Sequence, residues 1–250
     1  MSGHSKWAKV KRYKGALDQK RGQVFSRLSK EIQLAAKNGG DPDTNLRLRT
    51  ILMKAKEVSM PADTIKRAIN KGTGAEAGAA IEEFLYEGYG PAGVAILVEV
   101  VTDNKNRTAA DIRSIFSKYN GNMAESGSVS FLFDKKGLIT VKKSAIGEDD
   151  LMGLVLDAGA EDLKTDKADV YEVVTAPDAT FDKVKKALED KKIATESGEV
   201  TMIPKTTVPL DERKAESLLK LYDALDEYED VQNVYANFDI SEEIMAKLEK

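Results

Sequence analysis

Residues 72–81, GTGAEAGAAI, divide the chain into two stretches whose apolar residues repeat with different periods. A Gly/Ala run of this kind offers little to bury and reads as a hinge. Before it, apolar residues recur at three- and four-residue spacing, the mark of helices that bury one face. Phe25, Leu28, Ile32 and Ala35 or Ala36 define a first helix stopped by Asn38-Gly39-Gly40. Leu48, Ile51, Leu52, Ala55 and Val58 define a second. Pro61, tolerated in a first turn, opens a third that carries Ile65, Ala68 and Ile69 and closes at Gly72. Residues 22–81 therefore predict a three-helix bundle followed by the hinge.

After the hinge, strand patterns dominate. Phe84–Tyr86 and the strongly β run Val94–Val101, of the kind buried on both faces, predict strands on either side of the turn Gly88–Gly93. Ile112, Ile115, Phe116 and Tyr119 predict a helix that Thr108 caps with Asp111, and Ser128–Phe133 reads as a further strand. Residues 134–204 then follow the order βαββαβ, which is ferredoxin-like. The helix bearing Leu218, Leu221, Tyr222 and Leu225, and the strand Val231–Phe238, would complete the unit left unfinished at residue 133. The expected fold is α+β: an N-terminal basic arm and a three-helix bundle, followed by two ferredoxin-like α/β domains, one inserted in the other. The expected boundaries are 1–21 for the arm, 22–81 for the helices and hinge, 82–133 plus 205–240 for the split domain, and 134–204 for the inserted one.

The charge divides at the same hinge. Residues 1–74 carry 17 Lys and Arg against 6 Asp and Glu, a net of +11, while residues 75–250 carry 21 against 36, a net of −15. A basic head on an acidic body points to a polyanionic partner, because each cation near a phosphate releases condensed counterions. Residues 1–21 lack helical periodicity and read as a flexible basic arm that orders on binding. There Lys6, Lys9, Lys11, Arg12 and Lys14 interleave with Trp7 and Tyr13, rings able to stack on bases, and Lys20 and Arg21 follow. Arg27, Lys30, Arg47, Arg49, Lys66, Arg67 and Lys71 continue the basic surface over the helices. On the body, Lys105 and Arg107 stand out in the segment TDNKNRT, and Arg107 is placed to receive a phosphate near a helix N-terminus. These eighteen residues are the candidate nucleic-acid contacts. A basic bundle docked on the acidic body is the competing use of the same charge.

Other chemistry finds no support. The chain has no Cys, and its one histidine, His4, sits in the polar arm, so thiolate metal sites and a Ser-His-Asp device are not expected. Gly88-Tyr-Gly-Pro-Ala-Gly93 has dinucleotide-fingerprint spacing, but a strand follows it where that fingerprint needs a helix, and Pro91 lacks a backbone donor. The reading is a tight turn. No catalytic residue, cofactor, metal or small-molecule substrate is expected. The composition is that of a soluble, cytoplasmic globular chain without a secretory signal, and membrane partners are not expected.

Four segments carry a family resemblance: the start MSGHSKWAKVKRYKGALDQKRGQVFSRLSKEI, the stretch MPADTIKRAINKGTG, the turn YEGYGPAGVAILVE, and TDNKNRTAADIRSIFSK with GSVSFLF. They resemble the YebC/PmpR family over nearly the full length. The resemblance implies a helical N-terminal domain with two α/β domains, one inserted in the other, and no established catalytic residues. It implies a non-enzymatic regulator of the DNA-binding transcriptional kind. The same family includes mitochondrial translational activators, and some members are linked to the ribosome and to relief of stalling on proline-rich sequences. DNA and ribosomal RNA are thus both implied partners. A protein-interaction adaptor, with the basic head docked internally, is the reading from another class.

Overall fold

The structure, a computed structural model, describes residues 17–248. The contacts expected of Lys6, Trp7, Lys9, Lys11, Arg12, Tyr13 and Lys14 lie outside the described residues. The described residues form two compact units, 131–207 and 17–130 with 208–248. In the larger unit, helices α1 (Leu17–Ala36), α2 (Leu46–Glu57) and α3 (Ala62–Thr73) pack around Leu28, Ile32, Leu48, Ile51, Ala55 and Ala68. Helix α1 begins inside the stretch read as arm, with Lys20 and Arg21 on its first turns. The periodicity begins later than the helix because residues 17–21 offer one apolar side chain, Leu17. Val58, expected in the core, is exposed just past the end of α2, and Met60 takes the buried place.

Two devices set the geometry of these helices. Asn45 caps α2, its side chain accepting from the Leu48 N–H, and its amide donates to the carbonyls of Ala35 and Gly39 at the end of α1. Where α3 crosses α1, a Cβ on Gly72 would collide with the Gln33 carbonyl oxygen and lie 2.6 Å from the Ala36 Cβ. The two helices meet closer than any side chain there allows. Gly72→Val is expected to cost about 1–3 kcal/mol by overpacking. Chemical denaturation would read this as a lower midpoint, and an unchanged midpoint would show that α3 can move aside.

Strands β1 (Glu82–Tyr89) and β2 (Ala95–Thr102) form a hairpin whose 3-10 turn starts at Pro91, with Ala92 and Gly93 at positive φ of 63° and 76°. A strand follows this turn, so the fingerprint-like glycines meet no helix N-terminus. Helix α4 (Lys105–Lys118) and β3 (Asn122–Ala124) come next. After the inserted unit come β8 (Val208–Pro209), α7 (Glu212–Asp226), β9 (Val231–Ala236), β10 (Phe238–Asp239) and α8 (Glu242–Leu248), while β4–β7, α5 and α6 belong to the insert. The sheet order is β3-β1-β2-β9, antiparallel throughout. Helices α4 and α7 pack together on one face over Ile96, Val98, Ile112, Phe116, Leu218 and Leu221. This is a ferredoxin-like two-layer sandwich in which the central strands are joined directly and the last helix and strand arrive from beyond the insert.

Three local expectations change. Helix α4 is capped by Asn104, whose side chain accepts from the Arg107 N–H, while Thr108 is buried inside the helix. Of the strand expected over 128–133, only Phe133 lies in one, as the first residue of β4, and none forms over 128–132. There the N–H groups of Gly127, Val129 and Ser130 donate to the Glu87 carboxylate at 2.7, 2.7 and 2.9 Å, and a 3-10 turn follows at Ser130–Leu132. Burial would raise the pKa of Glu87, but these three donors outweigh it and hold the carboxyl below its ordinary value. A side chain thus satisfies the backbone that a ladder would otherwise pair. Helix α8 was not expected, although Ile244, Met245 and Leu248 after Ser241 carry a short helical pattern; Met245 is buried against the sandwich core.

The insert consists of β4 (Phe133–Lys142), α5 (Glu148–Asp157), β5 (Asp162–Lys164), β6 (Val170–Thr175), α6 (Ala179–Asp190) and β7 (Thr195–Pro204). Its order β5-β6-β4-β7, antiparallel throughout, is the ferredoxin-like arrangement. Ile139, Val141, Leu151, Val155, Val173, Val184 and Leu188 fill its core. Among the described residues, no helix is long and apolar enough to cross a membrane.

Candidate nucleic-acid interface

The cations of the helices fall into two groups, according to what answers their charge. The first group faces the short acidic loop Asp226–Asp230, between α7 and β9. Arg27 bridges Asp226 Oδ1 at 3.3 Å and also donates to its carbonyl. Lys30 donates to Asp230 Oδ1 at 2.7 Å and to the Glu229 carbonyl at 3.0 Å.

Asp230 is the centre of this contact and is 4% exposed. Its Oδ2 accepts from the hydroxyls of Thr108 at 2.7 Å and Thr102 at 3.0 Å, and from Arg107 at 3.1 Å. Arg107 also bridges Asp103 at 3.0 Å. Burial disfavours the charged carboxylate, but the bonds from Lys30, Thr108 and Arg107 outweigh it and hold the pKa of Asp230 at about 2. In turn, the hydrogen bond that Arg107 donates to Asp230 raises the pKa of Arg107 above its ordinary value. The TDNKNRT segment therefore has a structural task. Asn104 caps α4, Thr102 and Thr108 hold Asp230, and Arg107 closes the ring of donors around it. Arg27, Lys30 and Arg107, all expected to face nucleic acid, have carboxylate partners within the chain.

Around the same seam, Arg47 reaches Glu83 at 3.5 Å, and Lys37 donates to the Ile81 carbonyl. Glu31 on α1 is raised in pKa by burial, with Lys54 and Arg47 opposing the rise. Arg49 folds back on the α1–α2 connection, donating to the carbonyls of Pro42 and Asp43 at 2.9 Å each and lying 3.5 Å from the Asp43 carboxylate. Lys105 sits 4.9 Å above the centre of the Phe84 ring.

The second group lies on α3. Ile65, Ala68 and Ile69 turn toward the helical core, and Lys66, Arg67 and Lys71 are exposed on the other side of the helix. No described carboxylate forms an ion pair with any of the three, and Lys56 on α2 is likewise exposed. Sequence reasoning had placed all these cations in one class. The signal that separates them is the acidic run Asp226-Glu227-Tyr228-Glu229-Asp230, whose counterpart on α1 is the i, i+3 pair Arg27 and Lys30. Among the described residues, no group of three or more His, Cys, Asp or Glu side chains is placed to hold a metal ion.

Residues 5–75 match the family described as the TACO1/YebC protein N-terminal domain, and residues 81–238 match the TACO1/YebC second and third domain. The chain belongs to the TACO1/YebC family. Relatives resemble it from end to end. A protein of Citrifermentans bemidjiense, named a probable transcriptional regulatory protein, is 57% identical over 99% of this chain and 100% of its own length. One of Geobacter sulfurreducens with the same description is 55% identical at the same coverage. The fold resembles the crystal structure of a conserved hypothetical protein from Aquifex aeolicus, with a TM-score of 0.79 and 42% identity over 92% of this chain and 95% of that one. These relatives are each named a probable transcriptional regulatory protein.

Proposed function

We propose that this TACO1/YebC protein is a non-enzymatic regulator that binds nucleic acid through its basic head, and that DNA in transcriptional control is its partner. The observation that carries the reading is the exposed face of α3, where Lys66, Arg67 and Lys71 have no described carboxylate partner although the neighbouring body is acidic. Surface cations left unanswered beside an excess of acid suit phosphates. The names of the relatives supply the transcriptional part of the reading.

RNA is a second reading, favoured by how the cations are spread. Lys56 on α2 and Lys66, Arg67 and Lys71 on α3 form a phosphate-binding surface, with Asn70 alone on α3 offering an amide for base edges. Phosphate contacts fix register without reading sequence, and a structured RNA offers them as readily as a duplex.

Equilibrium binding to duplex DNA and to a structured ribosomal RNA fragment, across a salt series, tests both. About six contacts should give a slope of log K on log salt near −4 to −5. A sequence-dependent preference among duplexes favours transcription. Tighter RNA binding, with co-sedimentation on ribosomal subunits, favours translation. A flat salt response for both ligands would remove the nucleic-acid reading and leave the adaptor.

A further inference from the structure

At the end of the α4/α7 pair remote from the helical bundle, a cleft of about 260 Å³ opens between the two helices. It is lined by Lys118, Tyr119 and Asn120 from the end of α4, and by Arg213, Glu216, Ser217 and Lys220 along one side of α7. Three cations face one carboxylate, a local net of +2 on a body whose overall charge is strongly negative. Glu216 is engaged by Lys220 at 2.8 Å, which lowers the pKa of its carboxyl. Lys118 lies 5.4 Å above the centre of the Tyr119 ring, and neither Lys118 nor Arg213 has a described carboxylate partner.

The backbone holds the rim in place. Just past the end of α4, Asn120 takes a φ of 58°, and the Gly121 N–H donates to the Phe116 carbonyl at 2.8 Å, a Schellman-type stop. Arg213 sits in the first turn of α7, where the partial positive charge of the helix adds to its own. The cleft is smaller than the roughly 300–1,000 Å³ of sites that enclose whole small molecules. Its size and charge fit a single phosphate group, with Asn120, Ser217 and the Tyr119 hydroxyl as neutral donors.

We propose that this cleft holds a backbone phosphate of the bound nucleic acid. This rests on the nucleic-acid reading above and extends it from the basic head onto the acidic body. Arg107 and Lys118 are eleven residues apart, so they share a side of α4 and lie about 16 Å apart along its axis. The cleft is therefore set off along the seam from the Asp230 cluster, and a strand rising 3.4 Å per nucleotide spans that gap in about five nucleotides. At the near end of the seam, Asp226 and Asp230 are already neutralised by Arg27 and Lys30, which lessens the repulsion on such a path.

The test is the double variant Lys118→Gln/Arg213→Gln in the full chain. Both side chains are exposed, so the melting temperature should not change. Binding is measured against a 20-base-pair duplex and a structured RNA hairpin across a salt series. Loss of this one phosphate contact should lower the magnitude of the salt slope by about 1 and the affinity near 0.15 M salt by about fivefold. A loss confined to one of the two probes identifies whether DNA or RNA supplies the phosphate. Unchanged slope and affinity, with the wild-type chain binding normally, would overturn the cleft and leave the basic head as the site. If the wild-type chain binds neither probe at any salt, the functional reading fails and the cleft proposal fails with it.

Discussion

Replacing Asp230 by alanine is expected to be the most damaging single change on this surface, costing about 3–5 kcal/mol of stability. Asp230 is buried and accepts from four side chains drawn from three elements: Lys30 of α1, Thr102 of β2, and Arg107 and Thr108 of α4. Without the carboxylate, the Lys30 ammonium faces a desolvated site with no counter-charge, and two threonine hydroxyls lose their acceptor. The loss should concentrate at the contact between α1 and the sandwich. Hydrogen exchange should therefore quicken in α1 while the core strand β2 stays protected. A cost below 1 kcal/mol would mean that apolar packing alone holds α1 in place.

The same carboxylate sets a pH dependence. The folded-state pKa of Asp230, about 2, is depressed from the ordinary 3.8. Its contribution is thus fully present above the unfolded value and is lost as the pH falls from about 4 through about 2. Integrated over the shift, it amounts to about 2 kcal/mol. Asp230→Asn should flatten the stability curve in that window. If wild type and variant lose stability in parallel between pH 4 and 2, the acid sensitivity belongs to other carboxylates.

Which parts of this architecture were legible in the sequence follows from where the pattern is local. Ile32, Leu48, Ile51 and Ala68 mark their helices by spacing, and Val94–Val101 marks a strand buried on both faces, because those signals depend on what one element buries. Over 128–132 the expected strand does not form, for a non-local reason. Glu87, some forty residues earlier, supplies the acceptors that a neighbouring strand would otherwise supply. Thr108 looked like a cap because Asp111 lies three residues on, yet its hydroxyl serves a carboxylate 122 residues away, and Asn104 caps instead. The basic face was legible as composition but not as partition. Nothing local to Arg27 or Lys30 indicates that the loop 226–230 folds back against them, so cations that hold the bundle to the body looked the same as cations that face solvent.

That partition leads to the second large expected effect. The triple variant Lys66→Ala/Arg67→Ala/Lys71→Ala should lose nucleic-acid affinity by about a hundredfold near 0.15 M salt, with the salt slope smaller by about 2 to 3. The three side chains are exposed on the side of α3 away from Ile65, Ala68 and Ile69, and alanine is a good helix former, so the fold should tolerate the change. Arg27→Ala/Lys30→Ala should behave in the opposite way. It removes the ion pairs to Asp226 and Asp230 and should lower the melting temperature more than it lowers affinity. Measuring both variants by fluorescence anisotropy and thermal unfolding separates cations that meet phosphate from cations that hold the bundle to the body. If the α3 variant binds normally while the α1 variant loses affinity without losing stability, the partition is reversed. The ion pairs to the loop 226–230 would then have to open for nucleic acid to bind.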